Sequence, residues 1–382
     1  MTSLYLDAAA TTSIRREVLE AMWPHLIGAP ANPSSTHEAG SLASRALDDA
    51  RSRVAAVFGA RSSEAIFTSG GTEADNLAIK GIALASPRGR HIVVSAIEHP
   101  AVLESCAYLR RHHGFEVTVV GVDTDGLVDP VKLRAALRSD TTLCSVMFAN
   151  NEVGTIQPIA ELAAIGREGA VPFHTDAVQA VGWLDCSLDA LGVDAVSISG
   201  HKLGAPHGIG ALIVRGRIPL EAQQSGGAQE RGRRSGTQNV AGAVGFATAL
   251  ELAVAEGKHH GQRVSELRDA FIAEVLATVP DATLTGALAH RLPGSASFCF
   301  PGTSGETILL ELEAHGISSS SGSACAAGND EPSAVLIALG IAPEVAQTAV
   351  RFTFGAGITA DDLSRTAREL RAAVARVRGL GD

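Results

Sequence analysis

The chain has 382 residues, 46% of them hydrophobic, enough to bury a large core and more than one domain usually spans. Its formal charge of −10 is accompanied by no long basic run, which argues against a nucleic-acid backbone or an anionic lipid face as a partner. Five cysteines, at positions 106, 144, 186, 299 and 325, are odd in number and form no close pair, so neither a disulfide framework nor a zinc cluster is expected and a reducing compartment suits them.

From the N terminus, Met1 to Thr12 carries Asp7 and no basic lead into an apolar run, so it does not read as a secretory signal. From about residue 60 to 215, short β-rich runs alternate with helical stretches. The runs are His91 to Ser95, Glu116 to Val120, Leu143 to Phe148, Val171 to His174, Ala195 to Ser199 and Ala211 to Val214. This alternation predicts an α/β fold with a mainly parallel sheet covered by helices, with ligands gathering at the carboxyl ends of the strands. Two helical patterns follow, Asn239 to Ala255 and Gln262 to Thr278; the first is interrupted by Glu251 and too short to span a bilayer. Beyond them come strand-like Ala296 to Phe300, helical Glu306 to His315 and strand-like Val350 to Phe354, which predict a smaller α+β domain from about residue 256. The last segment, Asp361 to Arg378, has helical spacing and mixed charge and reads as a solvated surface helix. A cytoplasmic protein without a membrane partner is expected.

Three clusters carry chemistry. In the segment from Phe67 to Asn76 a strand-like run ends in Gly70-Gly71-Thr72, where free N–H groups at a helix start suit a phosphate; a Gly-Gly turn with a Thr cap is equally an ordinary way to begin a helix. No dinucleotide or triphosphate fingerprint occurs. Asp176 ends an apolar run, where it could cap the next helix, and one strand step later Ser199-Gly200-His201-Lys202 closes the following strand. A lysine able to form a Schiff base and an acid able to keep a pyridine nitrogen protonated, both at ligand-binding strand ends, are the pair that pyridoxal phosphate needs. Lysine at a strand end is more often solvated, yet this one precedes the glycine-rich loop Leu203 to Gly210. Cys106, Cys144, Cys186 and Cys299 lie in or beside runs patterned for burial, whereas the neighbours of Cys325 are Ser, Gly and Ala.

The sequence resembles the cysteine desulfurases of the class V aminotransferase family along nearly its whole length. The resemblance is carried by Tyr5 to Thr12, Asn32 to His37, Thr68 to Asn76, Glu98 to Val102, Asn150 to Gly154, Asp176 to Gln179, Ser199 to Lys202, Arg234 to Thr237, Ser320 to Cys325 and Arg351 to Gly355, in family order. It implies the fold type I architecture of pyridoxal-phosphate-dependent transferases, with a large domain over 14–255 and a small one made of 1–13 and 256–382. It implies Lys202 as the cofactor lysine and Asp176 as the pyridinium partner. Gly71, Thr72, Ser199 and His201 are implied around the phosphate, with Thr237 reaching the phosphate of a neighbouring subunit in a homodimer. His99 would stack on the ring and relay a proton, Gln179 would bond the ring oxygen, and Asn151 would sit near that oxygen and the substrate. Arg351 would clamp the L-cysteine carboxylate, with Asn32 a further substrate contact.

Cys325 would take sulfur from L-cysteine as a persulfide, leaving L-alanine, and pass it to an acceptor protein, whose service to iron–sulfur clusters, tRNA, a thio-cofactor or modified DNA the resemblance leaves open; its loop resembles the subgroup in which that loop is long. Two rival readings are a selenocysteine or carbon–sulfur lyase and a catalytically quiet scaffold for sulfur acceptors. The chain departs from the family pattern at Ala8, where a polar or aromatic residue is usual, and at Gly204, Ala205 and His207, where Tyr, Gly and Lys are more frequent. Ala326-Ala327 likewise replaces Thr-Ser.

Overall fold

A short strand, Leu4–Tyr5 (β1), opens the computed structural model, which describes residues 3–28, 30–86, 88–321 and 331–379. Seven strands then build the central sheet: Ala65–Thr68 (β2), His91–Ser95 (β3), Glu116–Val120 (β4), Thr141–Ser145 (β5), Phe173–Asp176 (β6), Ala195–Ser199 (β7) and Gly210–Val214 (β8). Their order is β2-β8-β7-β6-β5-β3-β4. Only β8 runs against the rest; β2 pairs antiparallel with β8 and so points the same way as the others. All other pairings are parallel, and the carboxyl ends of β2, β3, β5, β6 and β7 therefore open on one side.

All the central-sheet strands except the edge strand β4 are buried on both faces and alternate with period two. Ile66, Ile92, Val94, Leu143 and Leu212 pack with the helices Gly71–Ala85 and Pro100–His113, while Phe67, Val93, Cys144, Val196 and Ile213 point into the core on the opposite face. Cys106, Cys144, Cys186 and Cys299 are free and buried; Cys325 lies outside the described residues.

A second, smaller sheet holds Thr283–Leu284 (β9) and Ser295–Cys299 (β10); the next strand, Ile317–Ser318 (β11), pairs instead with β1 in parallel, and Val350–Thr353 (β12) completes the order β12-β10-β9. Phe271 meets Phe298 and Phe352 edge to face at 5.9 and 5.4 Å at the centre of this unit, and Leu6 is buried in the same core. The N-terminal strand thus belongs, by its pairing and its packing, with the C-terminal unit.

The two helical patterns expected at 239–255 and 262–278 are one helix, Val240–Thr278. The linking residues 256–261 contain two glycines but no proline, and Gly257 serves close packing: a Cβ there would lie 1.6 Å from the Gly182 carbonyl oxygen. Residue 256, the expected boundary, falls inside this helix. The most apolar window of the helix is 61% buried within the fold. The terminal helix, Ala360–Gly379, is not simply solvated: Leu363, Ala367, Leu370 and Val374 are buried on one face, spaced as an amphipathic stripe that packs on the small unit's core.

Candidate active site

A cavity of about 540 Å³ opens at the carboxyl end of the central sheet, within the range of cofactor sites. The ends of β2, β3, β5, β6 and β7 contribute to it. After β2 the chain turns into the helix Gly71–Ala85, which brings Gly71 and Thr72 to the wall. A Cβ on Gly71 would stand 2.8 Å from Val178 Cγ2 and 3.3 Å from Ser199 Cβ, so only glycine lets this helix start approach the floor. After β3 comes His99, whose Nδ1 accepts the Ala101 N–H at 3.1 Å and caps the next helix. In the neutral ring that bond leaves the proton on Nε2.

Asp176, at the end of β6, is 5% exposed and lines the cavity; its Oδ1 accepts the Val178 N–H at 2.9 Å. Burial raises its pKa, and attraction to His99 and Lys202 works in the other direction. Such a carboxylate favours a cation placed opposite it. Ser199 and His201, at and after the end of β7, also line the space. Burial, then the neighbouring Lys202, lowers the His201 pKa to about 4, so the ring is neutral at pH 7; its Nδ1 lies 3.1 Å from Thr11 Oγ1.

Lys202 Nζ donates to the Ala10 carbonyl at 2.5 Å and to the Ala9 carbonyl, both in the N-terminal segment that pairs with the small unit. Gln179 Nε2 donates to the same Ala9 carbonyl at 3.0 Å. Arg351, on β12 and 1% exposed, lines the cavity with Asn151; its Nη1 donates to the Asn151 carbonyl at 3.0 Å and its Nη2 to Asp7 Oδ1 at 2.6 Å.

The cavity therefore gathers Gly71, Thr72, His99, Asn151, Asp176, Gln179, Ser199, His201, Lys202 and Arg351. It does not gather Asn32, which is exposed and spends its Oδ1 on the Ser34 N–H at 2.9 Å in a local turn. Thr237 is exposed and also lies off the wall, although Arg234 of the same segment bonds Glu73 at 2.7 Å beside the phosphate-type helix start. Residues flanking Cys325 adjoin the site: Ser320 pairs with the Arg351 backbone, and Glu331 to Ala334 line the cavity.

Sequence reasoning assigned no role to three acids here. Asp75 is 1% exposed on the cavity wall; its Oδ1 has no hydrogen-bond partner among the described residues and lies 3.8 Å from His174 Nε2, and burial raises its pKa well above the usual range. Glu98, 3% exposed, is raised to about 8 by burial. Asp7 pairs with Arg351. Their signal was position, each within a segment that carries the resemblance, but the side-chain patterns named no partner.

A family profile described as aminotransferase class-V matches residues 4–366. Cysteine desulfurase IscS of Dictyoglomus turgidum is 47% identical over 98% of this chain and 95% of its own length. A solved NifS-like protein superposes with a TM-score of 0.91 at 35% identity, covering 98% of this chain and all of the other. A structure described as SspA in complex with cysteine gives 0.82 at 33% identity, covering 93% of this chain and 99% of that one. With the profile running through both sheets and the relatives aligned nearly end to end, the chain belongs to the class-V aminotransferase family, in its cysteine desulfurase branch.

Proposed function

We propose that this chain takes sulfur from L-cysteine, with pyridoxal 5'-phosphate held through Lys202, leaving L-alanine and a persulfide on Cys325. The observation that carries the reading is one cavity in which Lys202 Nζ, buried Asp176 and the glycine-start helix at Gly71 converge. Those residues fit the cofactor by chemistry: a cradle that a Cβ would fill, a hydroxyl set at Thr72 and Ser199, and a buried acid raised by desolvation that a ring cation would offset. When bound, the cofactor supplies an electron sink for the carbon framework of the substrate.

The chain's own groups do the rest. Lys202 Nζ, released from the Ala9 and Ala10 carbonyls, removes and returns the substrate α-proton. Asp176 holds a proton on the ring nitrogen. His99, with its proton on Nε2, offers a flat face and a donor to the cavity, and Gln179 and Asn151 fix orientation. Arg351 holds the substrate carboxylate. The Cys325 thiolate takes the substrate sulfur; one C–S bond breaks, one S–S bond forms, and the substrate carbon gains a proton.

Relatives support cysteine as the substrate: the SspA structure is described as a complex with cysteine, and the IscS relatives are named cysteine desulfurases. We further propose a homodimer in which Thr237 serves the partner's phosphate, a cytoplasmic location suited to free thiols, and a sulfur-acceptor protein as the final recipient. Borohydride reduction of the holoenzyme followed by peptide mapping tests the reading. The reduced cofactor is expected on Lys202, and Lys202→Ala is expected to lose the visible absorption; label on another lysine would overturn the assignment.

A further inference from the structure

A second chamber of about 360 Å³ adjoins the cofactor cavity and shares Ala9, Gln179 and Lys202 with it. Two positions where the chain departs from the family pattern, Ala8 and Gly204, line this chamber, both with small residues. The space at Gly204 is taken by Arg15: a Cβ there would lie 2.6 Å from Arg15 Cγ and 2.8 Å from Nε, on a backbone with φ of +88°. Arg15 is anchored at every polar position of that contact. Its backbone N–H donates to the Gly204 carbonyl at 3.0 Å, its Nε to the Leu203 carbonyl at 3.1 Å, and its guanidinium forks onto Glu256, with Nη2 to Oε2 at 2.8 Å. Three residues earlier, Thr12 donates to the His201 carbonyl from its backbone N–H at 3.0 Å and from Oγ1 at 2.8 Å.

The carbonyls of residues 201, 203 and 204, on both sides of Lys202, are thus all held by one stretch of the N-terminal segment. Glu256, on the helix Val240–Thr278, braces that stretch from behind, and neither Arg15 nor Glu256 lines the cofactor cavity.

We propose that Arg15, braced by Glu256, is a positioning residue for Lys202: it fixes the backbone after the cofactor lysine and balances the charge behind it. The inference rests on the reading that Lys202 carries the cofactor. The bidentate fork suits that role: two parallel charge-assisted hydrogen bonds fix a plane as well as a distance. The charged groups facing this region are Glu256 and, beyond it, His260 from the long helix, Lys202 from its own loop, and Asp176 and His99 on the cofactor side.

The sign of the charge effect separates positioning from general stability. Arg15→Gln leaves Glu256 as an unpaired anion behind Lys202, which favours a proton on Nζ of the cofactor-bearing lysine. Glu256→Gln leaves Arg15 as an unpaired cation, which disfavours it. The measurement is the pH midpoint of the visible absorption of the holoenzyme in each single variant and in the double variant. The expected result is a rise of about half a pH unit for Arg15→Gln, a fall of similar size for Glu256→Gln, and a return toward the parent value in the double variant. Equal midpoints, or shifts of the same sign, with the borohydride label still on Lys202 would overturn this proposal alone. Label on a different lysine would overturn the site reading and this proposal with it.

Discussion

Arg351 and Asp7, 344 residues apart in the chain, meet as an ion pair with Nη2 and Oδ1 2.6 Å apart, and the arginine is 1% exposed. The pair ties the N-terminal segment that holds Lys202 to the strand that carries the proposed substrate clamp. The substrate carboxylate would join this network beside a guanidinium whose orientation Asp7 and the Asn151 carbonyl already set.

Because the fork matters as well as the charge, Arg351→Lys is expected to raise KM for cysteine. A bidentate charge-assisted contact is worth about 1.5–3 kcal/mol, so the rise should be roughly ten- to a hundredfold. Initial rates of alanine formation check this, with the visible absorption of the bound cofactor unchanged. An unaltered KM would place the carboxylate elsewhere.

Glu98 gives the fold a pH dependence of defined sign. Its Oε1 accepts Ser95 Oγ at 2.5 Å and the Met147 N–H at 2.8 Å, its Oε2 has no partner among the described residues, and burial raises its pKa from 4.5 to about 8. The folded state therefore holds a proton that the unfolded state releases, and this contribution to stability is lost as pH rises from about 4.5 to about 8. Buried His174, lowered to about 3, works oppositely: it costs stability as pH falls from 6.5 toward 3 and is flat above 6.5. Other buried acids, Asp75 among them, are raised as well, so the glutamate is read as the difference between the parent and Glu98→Gln in urea unfolding between about pH 6.5 and 8, a difference whose slope is at most about 1.4 kcal/mol per pH unit. Glu98→Gln should gain on the parent protein steadily across that window. A constant difference would mean that Glu98 is ionised in the fold.

Gly257→Ala separates helix propensity from packing. Propensity alone would stabilise a helix by up to about 1 kcal/mol. The new Cβ, however, would sit 1.6 Å from the Gly182 carbonyl oxygen and 3.2 Å from Trp183 Cα, and backbone cannot yield as a side-chain tip does. The expected outcome is a loss of about 1–3 kcal/mol in denaturant unfolding. A stabilised variant would mean that the helix does not press on that turn.

The strands were legible where β-branched runs ended at turns: β3, β4 and β7 have the expected bounds, and the segment Gly200 to Lys202 follows β7 as read. What escaped depended on distant partners. The direction of β8 is set by pairing, which composition does not encode. The patterns 239–255 and 262–278 are one helix because the contact that holds Gly257 within it is with Gly182, a partner distant in sequence. Asn32 read as a contact because its segment resembles the family's; within one chain its side chain closes a turn instead. Asp75 lies in a segment read as a helix start and Glu98 in one marked only by the resemblance, and their burial follows only from the packing above them.

The central claim is that sulfur leaves cysteine and arrives on Cys325. Incubating the cofactor-loaded protein with L-cysteine, quantifying alanine, and locating added sulfur by peptide mass spectrometry without reductant tests it most directly. The expected result is one added sulfur on the Cys325 peptide of the parent protein, alanine in equal amount from the first turnover, and neither from Cys325→Ser, which still binds the cofactor at Lys202. Undiminished alanine from Cys325→Ser, with the sulfur recovered as the persulfide of free cysteine in solution and none on the protein, would contradict it and place the sulfur acceptor outside Cys325.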